Sequence, residues 1–267
     1  MIETSEKLFE PEIKALILNH LFESGSIDNN SCVINELTVD NFSRRVDIAV
    51  VNNDQLIAIE VKSHFDSLGR LEGQLDKYLD HFDKVIVVAS EKHISRVLEM
   101  APVNVGVWQV CNDGKRLKVF RRGRIKKARK KENFIRALNV NELKELARRH
   151  NIKLNGNNRK SIEFSISRLS SNHLRRFFIE ALKKKYEKTS SAMIDAIEAK
   201  PVTASDINLM SPYKAARDAA KKLKQETHNV WDDWLTQSQE LRKNSQVITL
   251  KKGDDSNINS INCKITN

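Results

Sequence analysis

The chain has 267 residues, 40% apolar and 30% charged, with a formal net charge of +11, a composition that fits a soluble globular protein of one or two domains with a real core. Its apolar runs are too short for a membrane helix, and no charged-then-apolar leader opens it, so no membrane partner is expected. Cys32, Cys111 and Cys263 are widely spaced and form no CxxC pair, which argues against a disulfide scaffold or a zinc ribbon and for a reducing, cytoplasmic setting.

The first elements alternate. Pro11 suits the first turn of a helix, Ile13, Leu16, Ile17 and Leu21 follow helical spacing, and Gly25 is a natural stop. Glu12 lies in that first turn, either complementing the helix dipole or reaching whatever packs nearby. Cys32–Val39 reads as a strand carrying Glu36. Arg44–Lys62, RRVDIAVVNNDQLIAIEVK, reads as two apolar strands joined by Asn52-Asn53-Asp54-Gln55.

Asp47, Glu60 and Lys62 interrupt this apolar hairpin. Side chains alternate along a strand, so Glu60 and Lys62 share a face, and pairing brings Asp47 toward the same pocket. A carboxylate buried in a sheet is costly unless it is paired or binds a cation. The plainer alternative is an edge hairpin whose charges point to water.

A helix is expected from Leu68 to about His81, with Ser67 as its cap and Gln74 and Tyr78 one turn apart on a shared face. KVIVVA, Lys84–Ala89, reads as a strand covered on both faces, Ser90–Met100 as a helix, and Val105–Val110 with Leu117–Arg121 as a hairpin around Asn112-Asp113-Gly114-Lys115. The order helix, three strands, helix, strand, helix, hairpin makes residues 1–120 a mixed α/β domain.

Charge then changes sign. Residues 1–119 hold 13 Lys+Arg against 19 Asp+Glu, 120–188 hold 22 against 6, and 189–267 hold 11 against 10. Such a dense basic block points to a polyanion, most often nucleic acid; the alternative is a solvated basic helical face. Candidate phosphate contacts are Arg121, Arg122, Arg124, Lys126, Lys127, Lys144, Arg159 and Lys160. Within 121–188, short helices are expected from Leu138 to about His150 and around Ile162, Ile166 and Leu169. A third, capped by Ser171, carries Leu174, Phe177, Phe178, Ala181, Leu182 and Tyr186, with Arg175, Arg176 and Lys183–Lys185 largely outside the stripe. Residues 189–204 read as a linker within a C-terminal extension over 189–243, helical across Pro212–Lys243, and 244–267 as a polar, disordered tail.

On Asp47, then Glu60-Val61-Lys62 on a paired strand after an acid-bearing helix, the front half resembles the PD-(D/E)XK nuclease superfamily. Gln74-Leu-Asp-Lys-Tyr78 is similar to the QxxxY element of its RecB-like members, and the run from Glu60 to Ser90 resembles poorly characterised bacterial and phage proteins of that superfamily. The proline that precedes the aspartate in the family is replaced here by Val46. The resemblance covers roughly residues 10–110. It implies a restriction-endonuclease-like core, a mixed sheet flanked by helices, followed by the basic helical region. It further implies a divalent-metal-dependent DNA nuclease of repair, recombination, phage or defence. Asp47, Glu60 and the Val61 carbonyl, with Glu12 from the first helix, would hold Mg²⁺ or Mn²⁺. Lys62 would orient the attacking water, and Gln74 and Tyr78 would support the site. Leu138, Val140, Glu142-Leu143-Lys144, Gly156, Lys160 and Leu169 resemble an SAP-like DNA-binding helix–loop–helix. Two other functions stay open: a DNA-binding protein on a nuclease fold that no longer cuts, and a toxin or defence effector acting on RNA. So does a homodimer or a protein partner.

Overall fold

The structure is a computed structural model that describes residues 7–39, 44–111, 113–128, 130–211, 230–231 and 234–239. The chain divides into two units, Met1–Lys214 and Ala215–Asn267. In the second, the described residues are helical, with Trp231 and Trp234 edge to face at 5.5 Å; the rest of the expected helix over Pro212–Lys243 and the whole 244–267 tail lie outside the described residues.

The first unit is built on one six-stranded sheet whose spatial order follows the sequence: β1 (Cys32–Val39), β2 (Arg44–Asn52), β3 (Gln55–Lys62), β4 (Lys84–Ser90), β5 (Gly106–Val110) and β6 (Leu117–Arg121). β1, β2 and β3 pair antiparallel, β3, β4 and β5 parallel, and β5 with β6 antiparallel. The two parallel joins need crossovers, and the sequence supplies a helix at each: α2 (Leu71–His81) and α3 (Glu91–Met100). The β2–β3 turn places Asn53 and Asp54 at φ of 44° and 62°, the left-handed pair of a two-residue hairpin loop that Asn and Asp tolerate.

Both faces of the sheet are covered. Leu56 and Ala58 of β3 join Leu71, Leu75 and Tyr78 of α2 in one core. Ile59 and Val61 join Ile13, Ile17, Leu18 and Leu21 of α1 (Glu10–Glu23) in the other. A third, smaller core gathers Phe134 of α4 (Lys131–Ala137), Leu143 and Leu146 of α5 (Val140–Arg149), Ile162 and Ile166 of α6 (Arg159–Ile166) and Leu174 of α7 (Ser171–Ala199). The helix–loop–helix expected over 138–169 is therefore present as α5 and α6. Asn139 caps α5, its side chain accepting from the Asn141 and Glu142 amides while Glu142 accepts from the Asn139 amide.

Four expectations change. α2 begins at Leu71 after Arg70, so Ser67 caps nothing, and α7 is capped by Ser170 rather than Ser171. The expected linker over 189–204 is, as far as Ala199, a continuation of α7, a 29-residue helix with no break at 188. Ile179, Leu182 and Tyr186 pack on one face of the sheet, and Met193, Ile194 and Ile197 enter the core on the other. Between them Ser190 covers the β1 edge, its hydroxyl accepting from the Val33 amide at 2.8 Å. Arg175, expected outside the apolar stripe, is buried. Among the described residues no helix is long and apolar enough to cross a membrane.

Candidate functional site: a forked hairpin with two carboxylates

The β2–β3 ladder runs from Asn52–Gln55 to Ile48–Ile59, while β3 goes on pairing with β4 as far as Lys62–Ala89. The hairpin thus forks one residue past Ile48, where Asp47 and Glu60 stand. With the strands parted, the Val61 amide donates not to a main-chain carbonyl of β2 but to Asp47 Oδ2, at 2.6 Å. Glu60 follows Leu56 and Ala58 onto the α2 side of the sheet.

Glu60 is 1% exposed and has three donor groups within hydrogen-bond distance. Lys62 Nζ and Gln74 Nε2 donate to its Oε1 at 2.7 and 2.6 Å, and the Tyr78 hydroxyl lies 2.9 Å from its Oε2. Lys62 Nζ also reaches Gln74 Oε1 at 3.3 Å, and the Tyr78 hydroxyl sits 2.7 Å from the Arg45 carbonyl. Burial, then the charge of Glu60, raises the Tyr78 phenol far above its ordinary value, so it acts as a neutral donor. The strand alternation that puts Glu60 and Lys62 on one face and the helical turn that aligns Gln74 with Tyr78 therefore meet at one carboxylate.

Asp47 carries the strain of this arrangement. Burial and the neighbouring Glu60 push its pKa up to about 7, against the Val61 hydrogen bond and the charge of Lys14, which pull it down. Lys14 is 2% exposed, paired with Glu10 at 2.6 Å and donating to Asn35 Oδ1 at 2.9 Å. Glu12 is elsewhere: its carboxylate accepts from the Phe9 amide at 3.0 Å and caps α1. The first-helix acid nearer Asp47 is Glu10, which adds to the rise in the Asp47 pKa. Lys14 and Glu10 escaped the sequence reading, although a lysine between Ile13 and Ile17 on an apolar face was a signal.

Among the described residues no three His, Cys, Asp or Glu side chains gather as a complete metal cage. The fork offers two carboxylates that repel each other, with the Val61 main chain between them. Two carboxylate donors would leave the remaining positions of an ion to other oxygens, water among them. That donor set fits Mg²⁺ or Mn²⁺, which keep several waters and use few carboxylates.

The basic candidates separate into two kinds. Arg121 is held within the fold, donating to the Val105 and Ala101 carbonyls at 2.7 and 3.0 Å. Arg159 is paired with Glu163 at 2.7 Å and donates to the Ile135, Arg136 and Leu138 carbonyls at the end of α4. Arg122, Arg124, Lys126, Lys127, Lys144 and Lys160 are exposed. Where the basic segment leaves the sheet, Gly123 has φ +76° and packs on Gly106, so close that a Cβ would lie 2.6 Å from the Gly106 nitrogen.

The segment is tied down by Asp83, 3% exposed, which escaped the sequence reading. Its carboxylate accepts from the Leu56 and Ala128 amides at 2.8 Å each and from both terminal nitrogens of Arg175.

The model of the family described as Bacteriophage P4 protein cII matches residues 3–211. The chain is 33% identical over 222 residues to "Protein cII" of Enterobacteria phage P4, an alignment that spans 82% of this chain and 83% of that protein. Among solved structures, a protein of unknown function from Silicibacter pomeroyi is 17% identical, covering 55% of this chain and 91% of its own at a TM-score of 0.35.

Proposed function

The chain belongs to the bacteriophage P4 protein cII family, and we propose that it is a divalent-metal-dependent DNA nuclease acting in the cytoplasm, with its mixed sheet serving as a PD-(D/E)XK core. The observation that carries this reading is the fork, where Asp47 and Glu60 from two parting strands converge beside Lys62. Asp47 and Glu60, with the Val61 carbonyl, would hold Mg²⁺ or Mn²⁺. Bound there, the ion supplies charge neutralisation for a phosphodiester and a water of lowered pKa.

The protein's own groups do the rest. Gln74 and Tyr78 hold the Glu60 carboxylate from the α2 side. Lys62, hydrogen bonded to Glu60, would orient an attacking water or stabilise the charge developing on phosphate oxygen. Asp47 must give up its proton to serve as a ligand, so a pKa near 7 makes the site responsive to pH. The exposed cations Arg122, Arg124, Lys126, Lys127, Lys144 and Lys160 would hold the phosphate backbone without reading sequence.

A second reading is a DNA-binding protein that does not cut. It is favoured by Lys62 and Gln74 already donating to Glu60 Oε1, with the Tyr78 hydroxyl 2.9 Å from Oε2. One experiment separates the two. Purified protein is incubated with single-stranded, duplex and branched DNA, with Mg²⁺, Mn²⁺ or EDTA, beside a Glu60→Ala control. Metal-dependent cleavage lost in the control supports the nuclease; binding without cleavage under every metal condition supports the second reading.

A further inference from the structure

Beside the fork lies a pair of aromatic rings that neither core absorbs. Phe9 and Phe65 are each 57% exposed, and they stack with centroids 4.6 Å apart at an interplanar angle of 16°. Two rings left in water at that exposure forgo apolar burial, which their mutual contact and the edge of His64 on Phe65, 5.6 Å between centroids, offset in part. Both are held rather than loose. The Phe9 amide is fixed by Glu12. The Phe65 turn is closed by Asp66, which accepts from the Ser63 amide and hydroxyl at 2.7 and 2.6 Å, and the Phe65 amide lies 3.3 Å from the Ser63 hydroxyl.

The position is specific. Phe65 comes three residues after Lys62, so their Cα atoms are at most about 11 Å apart. Phe9 precedes Glu10, whose partner Lys14 acts electrostatically on Asp47. Two lysines present their charge to solvent near the rings. Lys7 is exposed, and Lys92 is exposed with its ammonium on the His64 carbonyl at 3.0 Å. The His64 imidazole is lowered by desolvation and then by Lys7, Lys92 and His93. The nearby acids are partnered: Asp66 with Ser63, Glu12 with the Phe9 amide and Glu10 with Lys14.

Exposed aromatic faces flanked by cations bind unpaired bases, because every base has a π face and a single strand leaves it free. A duplex keeps those faces in its own stack. We infer that the Phe9–Phe65 pair is a stacking platform that receives an unpaired base of single-stranded DNA and lays the adjoining backbone toward the fork. The inference deepens the nuclease reading by naming its substrate class, and it rests on that reading only for the cleavage of a strand once bound.

The test is fluorescence anisotropy with the full chain in EDTA, using a labelled oligothymidylate of about 20 nucleotides and a duplex of equal length, a span that exceeds one stacking site. Phe65→Ala should weaken single-strand binding by about tenfold and leave duplex binding within about twofold. Phe65→Trp should keep single-strand binding, which shows that the turn still folds. Single-strand affinity unchanged in Phe65→Ala, or lost in equal proportion with duplex affinity, would overturn the platform. Failure of the nuclease reading shows separately, as a strand left uncut by the wild-type chain with Mg²⁺ whatever the anisotropy series gives.

Discussion

Two buried carboxylate centres stand at opposite ends of β3, and they are built on opposite principles. At the Leu56 end, Asp83 meets Arg175 with both carboxylate oxygens and takes two backbone amides as well. One negative charge faces one positive charge, every lone pair has a donor, and the result ties β3, the basic segment and α7 together. At the Lys62 end, Glu60 pairs with Lys62, Asp47 accepts from the Val61 amide, and the neighbouring Lys14 is already paired with Glu10. Burial, and then the charge of Glu60, pushes the Asp47 pKa up to about 7. A balanced buried pair is an anchor; an unbalanced one is a place that gains by taking up a proton or a cation.

Removing one partner breaks the anchor most severely. Arg175→Ala leaves the Asp83 carboxylate buried and unpaired, which should cost about 3–5 kcal/mol, read as a lower urea midpoint. At the fork the effect should fall on chemistry instead. Glu60→Gln should lower metal-dependent DNA cleavage by about 10²–10³-fold while the urea midpoint stays near that of the wild type. An anchor-like loss of stability in Glu60→Gln would erase the distinction between the two ends.

Asp47 sharpens it by sign. Its folded pKa of about 7 stands above the ordinary 3.8, so the fold holds a proton that the unfolded chain has lost over that window. Stability should therefore fall as pH rises from about 4 to 7 and level off above. Asp47→Asn keeps an acceptor for the Val61 amide and removes the repulsion with Glu60. Without metal at pH 8 it should be more stable than the wild type by on the order of 1–2 kcal/mol after allowance for screening, with no gain at pH 4. A thermal melt series across pH reads both. The smallest effect belongs to the exposed cations: Lys144→Ala and Lys160→Ala should each reduce the salt slope of DNA binding by about one, uniformly across sequences.

What could be read from the sequence was local. The hairpin stood out because two apolar runs flank Asn52–Gln55, and the alternation of β3 put Glu60 and Lys62 on one face, where they are found hydrogen bonded. Gln74 and Tyr78 were legible from one helical turn. Glu12 and Glu10 are both in the first turn of α1, and sequence does not fix which carboxylate turns back to cap the helix. Arg121 and Arg159 looked like surface cations because a basic run gives no sign of which guanidinium finds carbonyls. Arg175 was readable in principle: Arg175, Ile179, Leu182, Tyr186, Ser190, Met193 and Ile197 follow helical spacing, a stripe that also carries α7 past residue 188. Its partner Asp83 is 92 residues away, a distance that periodicity cannot bridge.

The claim that the fork is a cation site is tested most directly by titrating the metal-free chain with Mn²⁺ at pH 8 and following bound ion by electron paramagnetic resonance. The wild type should bind one Mn²⁺ per chain, and Asp47→Asn and Glu60→Gln should each lose that site while remaining folded. Equal Mn²⁺ binding by the wild type and both variants, or none by the wild type, would contradict it.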